Sequence, residues 1–214
     1  MNKPFTPAKR NSRSHQIALT AKKLFLTQGI DPIKMTDIAA ECRLGVATLY
    51  RYFRVKKGLV IAVGLMVWEE TYEGFAKISD ACEKKRLTGY RHLECLLMHF
   101  YDLFHEDKDF FLFVRDFDTF CLKEHVQPEE LSENDAIFLK IKDLFMKAGE
   151  RGLQDGSIQP RKDYELTYFA FSRALLSLGE KLIGENAIVQ SDKITDGDKQ
   201  FLSLIDVLLT YFAH

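Results

Sequence analysis

Residues 35–53 read MTDIAAECRLGVATLYRYF, and the fold turns on how this stretch is divided. Met35, Ile38, Ala39 and Cys42 recur at i, i+3, i+4 and i+7, the spacing of one helix face. After a four-residue break, Arg43 to Val46, Leu49 and Phe53 lie one helical turn apart and face the same way. Two short helices across a tight turn need a brace, and the preceding residues supply it. Ile17, Ala21, Leu24 and Phe25 form an amphipathic stripe that Ser12 or Ser14 can cap, Gly29 suits a left-handed helix end, and Asp31-Pro32 breaks the chain. The expected unit is a helix-turn-helix.

Charge divides the chain at the same place. The net charge of the 214 residues is only −1, yet residues 1–57 hold twelve Lys and Arg against three acids, Asp31, Asp37 and Glu41, a net of +9. The remainder holds eighteen bases against twenty-eight acids, a net of −10. A basic module joined to an acidic body implies a polyanion-binding head, and the apolar periodicity argues against a disordered basic tail. The two halves are read as a DNA-binding domain over 1–57, ordered from about residue 12, and a helical effector-binding and dimerisation domain over 58–214. Val46, Ala47, Tyr50 and Arg51 are placed toward the groove of double-stranded DNA. Small residues at the start of the helix allow close approach; Val46 and Ala47 can touch a thymine methyl, and Arg51 can pair bidentately with guanine.

The segment I-x-x-x-A-x-x-L-F-x-x-x-G at 17–29, then D-I-A-A-E at 37–41 and T-L-Y-R-Y-F at 48–53 with Lys56, resembles the tetracycline-repressor (TetR) family. The match covers about the first 60 residues, and the G-L-Q-D-G-S-I-Q-P stretch at 152–160 is similar to a connection common in that family. The resemblance implies a repressor that binds a palindromic operator as a homodimer and is released by a small hydrophobic effector. It further implies that Thr48, Tyr50, Tyr52 and Lys56 hold phosphates, although Tyr50 and Tyr52 can also be read as packing residues. Two positions depart from the pattern. Arg43 stands where glycine is usual, which is costly at positive φ unless Gly45 takes the bend. Lys34 stands where a threonine cap is usual, leaving water or Asp37 to cap the second helix.

The body reads as all-α, with a long helix from Leu59 to about Ser79 and helices near 89–105, 108–122, 129–151, 163–184 and 198–213. The last two are apolar nearly all round, which implies burial on two sides and hence pairing across a two-fold axis. Leu175, Leu178, Leu182, Phe201, Ile205, Leu208 and Phe212 are the expected dimer residues. Seventeen phenylalanines, crowded near 100–120, suit either an aromatic core or an apolar pocket. The resemblance favours an effector pocket, for which Trp68, Tyr72, Phe100, Tyr101, Phe104, Phe113, Arg115, Phe117 and Tyr168 are lining candidates.

Other functions find little support. There is no phosphate-binding glycine loop, H-E-x-x-H, nucleophile elbow or framed acid pair, so neither an enzyme nor a cofactor is expected. His92, Cys95 and His99 share a helix face that can hold a metal, but half-buried histidines beside an apolar stripe are the commoner meaning, and no metal is assigned. Cys42, Cys82, Cys95 and Cys121 lack disulfide or zinc spacing. No signal peptide or membrane-spanning run is present, which points to the cytoplasm. A protein partner in place of a small effector, and activation in place of repression, stay open.

Overall fold

The computed structural model describes residues 13–159, 163–183 and 194–213. These form α1 (Arg13–Gln28), α2 (Met35–Glu41), α3 (Val46–Phe53), α4 (Lys56–Lys84), α5 (Gly89–Glu106) and α6 (Lys108–Lys123). A 3₁₀ turn (Pro128–Leu131) then leads into α7 (Ser132–Asp155), followed by α8 (Tyr164–Ile183) and α9 (Gly197–Phe212). No strand occurs among the described residues. Ser12, a candidate cap for α1, lies outside them, and Ser14 is already helical.

The chain divides into two compact units. The first runs to Glu70 and takes in Leu112–Ile137; the second comprises Thr71–Phe111 and the chain from Phe138 onward. In the first unit Ile17, Ala21 and Phe25 of α1 are buried with Ile38 and Ala39 of α2 and Leu49 and Phe53 of α3. Leu24 and Cys42, expected in the same core, are only half-buried; Ala18 and Ile30 fill the core beside α1 instead. Full burial of a side chain such as Leu49 is worth about 2 kcal/mol.

The two departures from the family pattern resolve locally. Arg43 itself takes the left-handed conformation, at φ 53, while Gly45 is extended at φ −67, so the bend is not absorbed by the glycine. The N–H of Leu44 donates to Ala39 and that of Arg43 to Ala40, the paired bonds that close a helix on a left-handed residue. α4 and α6 end in the same way on Arg86 and His125. At the start of α2, Asp37 supplies the cap by accepting the Lys34 N–H at 2.8 Å.

The second unit is built on aromatic rings. Phe104 of α5 and Phe201 of α9 stack with centroids 4.6 Å apart, and a second set of rings, Phe75, Phe100, Phe145, Phe171 and Tyr168, interlocks through Phe75 and Phe145. The start of α5 fits against the end of α7 at a pair of glycines: a Cβ on Gly89 would lie 2.0 Å from the Gly152 nitrogen. Asp155 and Ser157 accept the Gly89 and Tyr90 N–H groups there.

Candidate nucleic-acid interface

α3 has two unlike faces. Leu49 and Phe53 are buried behind it, whereas Tyr50 is 45% and Tyr52 41% exposed. At those exposures neither tyrosine is a core residue. Ala47 and Arg51 are exposed, and Val46 and Thr48 are half-exposed. The Arg51 guanidinium lies 5.7 Å from the centroid of the Tyr52 ring, a placement that restrains it with its donors still available. The first turn of α3 carries no acid, and exposed Arg43 and Arg54 flank the helix. Neither arginine is among the expected contacts; their signal was the +9 charge of the head, which α3 alone does not account for.

Lys56 is placed differently from the other expected contacts. Its ammonium donates to the carbonyls of Ile30, at 2.5 Å, and Asp31, at 3.2 Å, and sits 5.7 Å from the Phe120 ring centroid. Burial holds its pKa below the usual lysine range, against the pull of Asp31. The Asp31 carboxylate is paired with Lys123 at 2.8 Å; that hydrogen bond keeps its pKa below the usual range. Lys56 thus ties the start of α4 to the loop between α1 and α2. Lys57 beside it pairs with Glu130 at 2.9 Å.

The lining candidates fall into both units. In the first, Phe113 and Phe117 are buried and stack at 5.8 Å, Trp68 is half-buried, and Arg115 is paired with its neighbour Asp116 at 3.0 Å. In the second, Phe100 and Phe104 are core rings. Tyr101 is half-buried, its ring 5.6 Å from that of His105, and Tyr72 lies under the Lys140 ammonium. Tyr168 is fully buried, and its hydroxyl makes no close hydrogen bond. A concavity of about 300 Å³ in the second unit is lined by Glu83, His92, Lys147, Glu150, Arg151 and Gln154, none of which belongs to the candidate set. His92 is buried and shares a 3.0 Å hydrogen bond with Ser79.

The dimer candidates separate by burial. Leu175, Phe201, Ile205 and Phe212 lie inside the second unit's own core. Leu178, Leu182 and Leu208 are half-exposed. Beside Leu208, Val207 is 60% exposed and Tyr211 42%, and with Leu204 they form an apolar stripe on the outer side of α9.

Residues 17–63 match the family model described as bacterial regulatory proteins, tetR family. No curated relative matches the chain by sequence. Among solved structures, the ketosteroid transcriptional regulator KstR2 of Mycobacterium tuberculosis is 16% identical with a TM-score of 0.61, covering 95% of this chain and 96% of that one. A TetR-family regulator from Agrobacterium tumefaciens is 16% identical with a TM-score of 0.66, over 94% and 97% of the two chains. AibR, solved with isovaleryl coenzyme A and operator DNA, is 21% identical with a TM-score of 0.63, over 94% and 98%. At these identities the likeness is one of fold.

Proposed function

We propose that the chain, whose residues 17–63 match the model of the tetR family of bacterial regulatory proteins, is a DNA-binding transcriptional regulator of that family that represses transcription as a homodimer on a palindromic operator and is released by a small hydrophobic effector. The observation that carries the DNA half is the division of α3 into a buried Leu49–Phe53 side and an outward side of Ala47, Tyr50 and Arg51, set on a head of net charge +9. On this reading residues 1–57 bind DNA, and residues 58–214 bind the effector and dimerise. Arg51 reads guanine, Val46 and Ala47 touch thymine methyls, and the hydroxyls of Thr48, Tyr50 and Tyr52 position the phosphates. The α9 stripe of Leu204, Val207, Leu208 and Tyr211, with Leu178 and Leu182 of α8, forms the dimer contact.

The effector half draws on the aromatic body and on relatives such as AibR, whose complex contains both an acyl thioester and operator DNA. No helix among the described residues is long and apolar enough to cross a membrane, which accords with a cytoplasmic regulator. Selection from random duplexes with the purified protein tests the reading. An inverted repeat with half-sites about one helical turn (~34 Å) apart, or a multiple of it, supports it; enrichment of single asymmetric sites contradicts the dimeric operator.

A further inference from the structure

Among the described residues, buried polar side chains are mostly satisfied by a neighbour. His92 and Ser79 bond to each other, and the Ser172 hydroxyl donates to the Phe169 carbonyl. Asn134, near the start of α7, is the exception in the first unit: it is 6% exposed, and neither its carboxamide oxygen nor its nitrogen has a hydrogen-bond partner in the protein. Burying an amide unpaired opposes folding, and natural sequences keep such groups where something else completes them.

The surroundings of Asn134 define what that could be. Gly64 of α4 and Phe117 of α6 meet it: a Cβ on Gly64 would lie 2.9 Å from Asn134 Nδ2 and 2.5 Å from Phe117 Cε2. Glycine at position 64 therefore lets the amide and the ring reach the same spot. Phe113 stacks on Phe117, and Trp68, the chain's single tryptophan, lies one turn beyond Gly64 on the same face of α4. The cations of this region are already engaged, Lys57 with Glu130, Arg115 with Asp116, and Lys123 with Asp31. None of these three cations is a hydrogen-bond partner of the Asn134 carboxamide.

We propose that Asn134 is the polar anchor of a binding site, walled by Phe113 and Phe117, for an uncharged and largely apolar molecule bearing one neutral hydrogen-bonding group, such as a carboxamide, carbonyl or hydroxyl. The proposal rests on the effector reading above and adds to it the charge of the ligand and the residue that selects it. A neutral carboxamide can both donate to and accept from the Asn134 amide, whereas a carboxylate brings a charge whose burial is costly.

The test uses the full-length protein and two matched probes, octanamide and octanoate, followed by Trp68 fluorescence and titration calorimetry. Octanamide is expected to bind at least tenfold more tightly than octanoate, and Asn134→Leu to lose at least tenfold in octanamide affinity. Because Asn134→Leu removes an unpaired amide from an apolar place, its urea midpoint is expected to rise. Asn134→Ala gives the same loss of probe binding should the leucine variant fail to fold. Octanoate binding as tightly as octanamide, no octanamide binding to the unaltered protein, or a variant that unfolds earlier yet still binds octanamide each overturns the proposal. If octanamide binds through Asn134 and operator affinity does not change, the site stands and the effector reading falls.

Discussion

Lys56 illustrates how a residue's identity and its role can part. The family resemblance implies a phosphate ligand at this position, and in the structure its ammonium donates to the Ile30 and Asp31 carbonyls, hydrogen bonds that exist only in three dimensions. Lys56→Ala is therefore expected to act through the loop: operator affinity and stability fall, the latter by about 1 to 2 kcal/mol for charge-assisted bonds, while the log-affinity against log-salt slope stays put. A salt series that showed the slope flatten by about two units per dimer would return Lys56 to the phosphates. Arg43 is the converse case. Its cost at positive φ was readable from the sequence, and the structure places the strain on that residue and not on Gly45. Arg43→Gly should raise the free energy of unfolding by about 1 kcal/mol, read from urea curves; no gain would mean that Arg43 makes compensating contacts.

At the scale of elements, helices were legible because their apolar spacing and breakers are local, and even the α2 cap on Asp37 was among the alternatives written in the residues. Which side of an all-apolar helix meets which neighbour was not. α8 and α9 announce two buried sides, yet only packing tells that Phe201 and Ile205 belong to the protomer's core while Val207 and Leu208 face outward. Leu208→Asp should therefore give monomers in sedimentation without unfolding the protein, and a dimeric variant would move the interface elsewhere. α5 carries a second consequence. Burial lowers the pKa values of His92 and His99, so the folded state takes up their protons less readily than the unfolded chain. The stability tied to these neutral rings is complete above the unfolded histidine pKa, near 6.5, and is lost as the pH falls below it. Urea midpoints measured between pH 7.5 and 5.5 should drop less for His92→Gln than for the unaltered protein; equal drops would show that His92 does not titrate differently on unfolding.

For the whole molecule, the basic head and acidic body were visible from charge, and the all-helical class from apolar periodicity. Whether the aromatic residues enclose a pocket was not legible, because seventeen phenylalanines fill a core and line a cavity with equal ease, and the burial of Asn134 without a partner exists only in three dimensions. A ligand that favours DNA-free protein must weaken operator binding by the same factor by which DNA weakens ligand binding, so the account as a whole stands on α3 reading DNA in two symmetric copies. The most direct test repeats the duplex selection with Arg51→Ala. Preference is expected to vanish at one pair of symmetry-related positions, at a cost of roughly 1 to 3 kcal/mol per lost bidentate contact, with the rest of the inverted repeat retained. An unchanged site, or relaxation at one position of an asymmetric sequence, would contradict the claim that α3 reads a palindrome through Arg51.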